Sequence, residues 1–248
     1  MANNNKIIRT SKPSVMEISP FTVYQKRGWA LIVNELQQYI GMPIDWNSVT
    51  ADTICQIIPL TQNSLYEVHI PCNQYSKEHP QEFFKELERL LHIVIRTEVD
   101  GCKTAFTFFN KVELKDGVAT LSLPLNSLRW ILDWGQKQMF TAFDKPSFLA
   151  LSTSSSQNLF LLLSEHYNQK TFSISIEEFK QKLLISPSYD TANIVRKILN
   201  PAQKEFAKRN TLFNFTYELY YQQTETITRG RKGYNHIRFN LIPNTENV

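Results

Sequence analysis

The tripeptide Ser186-Pro187-Ser188 restricts the fold of this chain more than any other short stretch. Proline lacks a backbone donor and biases its predecessor away from helix, so the amphipathic segments on either side must be separate rods joined by a tight turn. The first opens at Ser175 or Ile176, places Glu177 and Glu178 at the positive end of its dipole, and runs to about Leu184. The second runs from about Tyr189 to Lys208. Its apolar stripe is Ile194, Ile198, Ala202 and Phe206, with Val195 and Leu199 beside it. Off the stripe lie Asn193, Arg196, Lys197, Lys204, Lys208 and Arg209, and Pro201 predicts a kink.

The flanking segments extend this pattern. Phe213, Phe215, Tyr217, Leu219 and Tyr221 alternate with Asn214, Thr216, Glu218 and Tyr220, which predicts a strand with one buried face. Clean alternation assigns these aromatic residues to a core rather than to base stacking. Gln222–His236 is a polar loop containing Arg229-Gly230-Arg231-Lys232-Gly233, and Ile237, Phe239 and Leu241 close a hairpin. Upstream, Ser147–Tyr167 reads as one helix with Phe148, Leu151, Leu159, Leu162, Leu163 and His166 on one side, followed by a short strand, Phe172–Ser175. The order is helix, strand, helix, turn, helix, strand, basic loop, strand, which is the layout of a winged helix.

The first half has a similar order with weaker signals. After a polar tail, Met1–Lys12, a helix is predicted over Ser19–Ile40, entered through Ser19-Pro20 and ended by Gly41-Met42-Pro43. Leu65–Pro71 alternates as a strand, and Pro80–Leu91 places Phe83, Phe84, Leu87, Leu90 and Leu91 at helical spacing. Three strands follow, Ile93–Val99, Lys103–Leu114 and Val118–Leu123, separated by the hairpin signals Asp100-Gly101 and Asp116-Gly117. A short helix, Leu125–Asp133, precedes a junction near Gln136–Pro146. The expectation is an α+β chain of two tandem winged-helix domains, residues 1–138 and 139–248.

Several function classes lack their residues. Only 7 of 248 residues are glycine, and neither G-x-G-x-x-G nor G-x-x-x-x-G-K-[ST] occurs, which weighs against a nucleotide-binding enzyme. Cys55, Cys72 and Cys102 are an odd number with no C-x-x-C, and His69, His79, His92, His166 and His236 never fall at metal-ligand spacing. A nickase needs a metal-binding His-x-His besides its tyrosine, and none occurs despite Tyr220 and Tyr221; a primase needs clustered carboxylates, and here they are scattered. No catalytic residue, metal or cofactor is therefore assigned. No apolar run approaches the ~20 residues of a membrane span, and the N-terminus lacks a signal-peptide core. The expected setting is the cytoplasm, with no membrane partner.

Charge points to the partner instead. Through Phe140 there are 14 basic and 14 acidic residues, whereas Lys180–Arg238 holds 11 basic against 4 acidic. A local positive field attracts a polyanion, of which nucleic acid is the commonest. A basic helix alone is often only a solvated face. Here, however, the charge falls on the two elements that a winged helix turns toward duplex DNA. The second helix of the pair fits a major groove ~12 Å wide, and the hairpin tip reaches the flanking backbone or minor groove. The expected DNA-binding residues are Ser188, Tyr189, Thr191, Asn193, Arg196, Lys197, Lys204 and Lys208 on or beside the helix, with Arg229, Arg231, Lys232 and Arg238 on the wing.

The segment Ser147–Pro243 resembles the C-terminal domain of the iteron-binding type of plasmid replication initiator. The residues that carry the resemblance are Leu151-Ser152-Thr153-Ser154-Ser155-Ser156-Gln157-Asn158-Leu159-Phe160, the run Phe172–Leu184, Ile198-Leu199-Asn200-Pro201-Ala202 with Glu205, and Gly230-Arg231-Lys232-Gly233 leading to Ile237-Arg238-Phe239. The resemblance implies two winged helices, the second docking on directly repeated origin sequences. It also implies a monomer–dimer equilibrium in which monomers start replication, and recruitment of host replication initiator and helicase proteins. In the first half, the strand Lys103–Leu114 with Phe106, Phe108 and Phe109 is the candidate edge for pairing with a second copy, and burial inside the monomer is the competing reading. A winged-helix transcriptional regulator remains the alternative function, because it would use the same DNA-binding unit.

Overall fold

The computed structural model describes residues 7–11, 21–36, 58, 65–72, 79–99, 102–128, 140–222 and 233–244. The chain divides into two compact units, and among the described residues the second begins at Ala142. Its elements mix helix and antiparallel sheet, an α+β composition.

The first unit contains a strand β1 (Ile7–Ser11) and a helix α1 (Val23–Leu36). The helix starts later than Ser19-Pro20 predicted, because Thr22 and Gln25 form a capping box. The Thr22 hydroxyl accepts from the Gln25 backbone N–H (3.3 Å), and the Gln25 side chain accepts from the Thr22 N–H (3.0 Å). Residues 37–40, predicted as the helix's last turn, lie outside the described residues. β2 (Leu65–Pro71) is followed by α2 (Pro80–Arg89), a short 3₁₀ turn Leu90–His92, and the hairpin β3 (Val94–Val99) and β4 (Cys102–Thr107). Val99 pairs with Cys102, and the predicted turn Asp100-Gly101 lies outside the described residues.

β5 (Lys111–Lys115) and β6 (Val118–Pro124) complete an antiparallel sheet in the order β2-β6-β5. Their turn is the predicted one: Asp116 and Gly117 both take positive φ, 51° and 77°, as a two-residue hairpin of this twist demands. Leu125–Leu128 are helical, and the remainder of the predicted helix to Asp133 is outside the described residues.

The predicted single strand Lys103–Leu114 is two strands in two different sheets, broken at Phe108–Asn110. A continuous strand would send Phe108 and Phe109 to opposite faces. The break instead buries both in one core, with their rings edge to face at 4.6 Å and Phe108 4.8 Å from Trp29. Two of the three proposed pairing residues are therefore interior, and only Phe106, half-buried on β4, remains near a surface. The same core takes in Ile32, Leu36, Val68, Phe83, Leu87 and Leu121. α1 approaches α2 so closely at Gly28 that a Cβ there would collide with the buried Leu87 side chain.

A strand β7 (Phe140–Asp144), which the sequence did not signal, leads into the second unit. The predicted helix Ser147–Tyr167 is two helices, α3 (Lys145–Ala150) and α4 (Ser154–Glu165). Asp144 caps the first by accepting from the Ser147 N–H (2.9 Å), and Thr153 caps the second by accepting from the Ser156 N–H (3.2 Å). α4 is buried on all sides from Ser156 to Ser164 rather than on one, as a central helix must be. His166 lies past its end, stacked on Phe172 at 4.0 Å.

Then come β8 (Thr171–Ser175), α5 (Ile176–Leu183), a helical run of α6 (Thr191–Ile194), one π turn (Val195–Leu199) and α7 (Asn200–Arg209), and the hairpin β9 (Phe213–Tyr220) and β10 (His236–Pro243). The sheet order is β8-β10-β9, all antiparallel, so the first strand pairs with the last. This is the winged-helix arrangement in the second unit. Aromatic rings fill its core: Phe160 stacks on Phe213 (4.9 Å), Phe206 meets Phe215 (5.3 Å) and Phe215 meets Phe239 (5.8 Å).

Candidate nucleic-acid interface

The second rod begins at Thr191, two residues later than predicted, because Asp190 caps it by accepting from the Asn193 N–H at 2.7 Å. The pattern Asp190-Thr191 directly after a proline turn was the signal for this start. Ser188 and Tyr189 consequently belong to the turn. The Tyr189 N–H donates to the Ser186 carbonyl (3.0 Å), the Ser186 and Ser188 hydroxyls share a hydrogen bond (2.7 Å), and Lys180 Nζ donates to the Pro187 carbonyl (3.1 Å). α5 ends on Leu184 in the left-handed region, φ 52°, with its side chain 58% exposed.

Pro201 leaves its mark as a π turn. Proline cannot donate, and its ring crowds the carbonyl four residues back. The Asn200 N–H instead reaches the Val195 carbonyl, one residue beyond the usual helical partner. Ile194, Ile198, Leu199, Ala202 and Phe206 are all buried. Arg196, Lys197, Asn200, Lys204, Lys208 and Arg209 are exposed.

Near the start of the run, Arg196 donates to the Asn193 side-chain oxygen (3.0 Å), and Lys197 Nζ lies 4.8 Å from the centre of the Tyr189 ring. Thr191 is half-buried beside the cap. The only carboxylate of α7, Glu205, is drawn away from these cations. It accepts from the Ser152 N–H and hydroxyl (both 2.6 Å) and from the Thr153 hydroxyl (3.2 Å), at the entry to α4. Burial works to raise its pKa, but the hydrogen bonds from Ser152, Ser156 and Thr153 outweigh burial and hold it below the ordinary value. Two stretches that carried the sequence resemblance, Leu151–Phe160 and the segment ending at Glu205, thus meet in one contact. Their separation of about fifty residues hid that contact in the sequence.

On the sheet side, the Tyr217 hydroxyl of β9 donates to Asn200 Oδ1 at 2.6 Å, and Gln203 Nε2 donates to the Phe215 carbonyl at 2.8 Å. These bonds fix the long helix against the first strand of the wing. Arg238 stands apart from the helix cations. Ile237 and Phe239 turn into the core, so Arg238 occupies the opposite face of β10, where it pairs with Glu218 (3.5 Å) and lies 4.8 Å from the Tyr220 ring centre. Arg229, Arg231 and Lys232 lie outside the described residues. The strands that lead to them are described on both sides, and Gln222 and Asn235 close the base through paired hydrogen bonds of 2.8 Å.

Among the described residues no three of His, Cys, Asp or Glu gather as metal ligands, and no helix is long and apolar enough to cross a membrane. What the site offers is hydrogen-bond donors and cations on one exposed helix surface of the second unit, next to a hairpin.

This part of the chain is similar to known proteins. Residues 175–241 match a family model described as initiator Rep protein, WH2. Among solved structures, the chain matches a crystal structure of Pi initiator protein in complex with iteron DNA. The TM-score is 0.68 at 17% identity, over 98% of this chain and 99% of that one. No curated protein sequence matches. The matched stretch takes in the long helix and the wing strands, so over residues 175–241 the chain is similar to the WH2 domain of initiator Rep proteins, and along nearly its whole length it shares the fold of Pi initiator protein.

Proposed function

We propose that this protein is a plasmid replication initiator that binds directly repeated origin elements in duplex DNA. The observation that carries this reading is a coincidence of position. The residues that match the initiator Rep domain are the same ones that build the helix–turn–helix and wing, and the cations of the long helix stay exposed while its carboxylate is turned to Ser152. Lys204 and Lys208 supply salt-dependent affinity for the backbone. Asn193, Arg196 and Lys197, near the start of the run, select bases, and Arg229, Arg231 and Lys232 at the wing tip reach the flanking groove. The first unit acts as a second winged helix that also lets two copies associate, and the bound protein recruits host replication initiator and helicase proteins in the cytoplasm.

Fluorescence-anisotropy titrations across a salt series test this reading. Lys204→Ala should reduce the slope of log affinity against log salt by about 1 and weaken repeat and mixed-sequence duplexes alike. Arg196→Ala should cost ~1–3 kcal/mol on the repeat only. Unchanged affinity and slope in both variants would remove the long helix from the interface.

A further inference from the structure

The exposed surface of the long helix contains one polar side chain whose orientation is already set before any ligand arrives. Asn200 is exposed, and its Oδ1 is taken by the Tyr217 hydroxyl at 2.6 Å. With the oxygen engaged, the Nδ2 group is the hydrogen-bonding group the amide has left to offer, and it has no partner among the described residues. Tyr217 is half-buried on β9, and burial raises the pKa of its hydroxyl, which keeps the proton that makes this bond. Asn200 heads a row with Lys204 and Lys208, at i, i+4 and i+8, all exposed. Two ammonium groups and an amide that presents donors suit an anionic acceptor. They suit an adenine edge poorly, since adenine asks an asparagine for a donor and an acceptor together. Asn200 also sits where the long helix is tied to the first strand of the wing.

We propose that Asn200 is a contact to a DNA backbone phosphate, held in its donating orientation by Tyr217 as a positioning residue. This rests on the duplex-binding reading above and adds to it an uncharged contact outside the residues that the sequence assigned to DNA binding. A neutral donor neutralises no phosphate, so its loss should lower affinity without changing the salt slope, unlike the loss of Lys204.

The test measures binding of the full chain to a repeat duplex and a mixed-sequence duplex for wild type, Asn200→Ala, Asn200→Asp, Tyr217→Phe and the Asn200→Ala/Tyr217→Phe pair. Asn200→Ala should weaken both duplexes about tenfold at an unchanged salt slope. Asn200→Asp, which replaces the donor with a negative charge, should weaken them further. Tyr217→Phe should weaken wild type by a smaller factor and have no effect once Asn200 is alanine. Asn200 is exposed, so its variants, which give up only the Tyr217 bond, should melt within a few degrees of wild type and stay folded at the binding temperature, and they decide the matter even if Tyr217→Phe unfolds. Unchanged affinity in Asn200→Ala, or a loss confined to the repeat, overturns the phosphate contact. A loss from Tyr217→Phe that persists without Asn200 overturns the positioning role. Wild-type protein that binds neither duplex overturns the duplex-binding reading itself.

Discussion

At the scale of single residues, two titratable groups tie pH to the stability of the units. Glu205 has its carboxyl below the ordinary value of 4.5 because its hydrogen bonds to the entry of α4 outweigh burial. A depressed carboxyl stabilises the fold above its unfolded pKa, and the contribution is lost as pH falls through the native value. Urea denaturation from pH 7 down to pH 3 should therefore show wild type losing stability faster than Glu205→Gln, and parallel curves would contradict the role given to Glu205.

Lys26 in α1 is the opposite case: burial pushes its pKa from 10.5 down to about 7. Between those values the unfolded chain holds a proton that the native chain has released, so stability rises with pH across the window, by at most ~1.4 kcal/mol per pH unit. Lys26→Met should remove that rise. Neither role could be read from the sequence. A lysine inside an amphipathic pattern reads as solvated, and the partners of Glu205 lie about fifty residues away.

At the scale of elements, the legible ones were those set by residue periodicity and turn residues. Strands with alternating aromatic residues, the Asp116-Gly117 hairpin, β8 and the Ser175-capped helix were all predictable, because neighbouring residues decide them. The misread elements were decided by local side-chain caps or by packing. Thr22 with Gln25, Thr153 and Asp190 each moved a helix start, and the need to bury Phe108 and Phe109 together split one strand into two. Pro201 predicted a disturbance, which took the form of a π turn because the Asn200 N–H found the Val195 carbonyl.

Two substitutions probe these elements by thermal or chemical melting. Leu184→Gly relieves a left-handed leucine that is largely exposed and should stabilise the second unit by ~1 kcal/mol. Gly28→Ala forces a Cβ against the buried Leu87 and should destabilise the first unit by ~1–3 kcal/mol. A destabilised Leu184→Gly would mean that the exposed leucine makes a stabilising contact, and an unaffected Gly28→Ala would mean that the two helices can move apart.

At the scale of the whole molecule, the second unit was legible because its element order, its charge and its sequence resemblance all fall on the same residues, and the family match spans 175–241 of them. The first unit has no such overlap. Its charge is balanced, its turn signals are few, and its order became clear only through the β2-β6-β5 sheet and the separate β3–β4 hairpin.

The central claim, that the long helix and wing of the second unit place this protein on repeated origin DNA, is tested most directly by footprinting the purified protein on the DNA flanking its own coding region. The account predicts several protected segments of equal length, in the same orientation and at a regular spacing, lost in Arg196→Ala protein. Protection of a single inverted pair of half-sites, as a dimeric regulator would give, or no protection at any salt concentration, would contradict it.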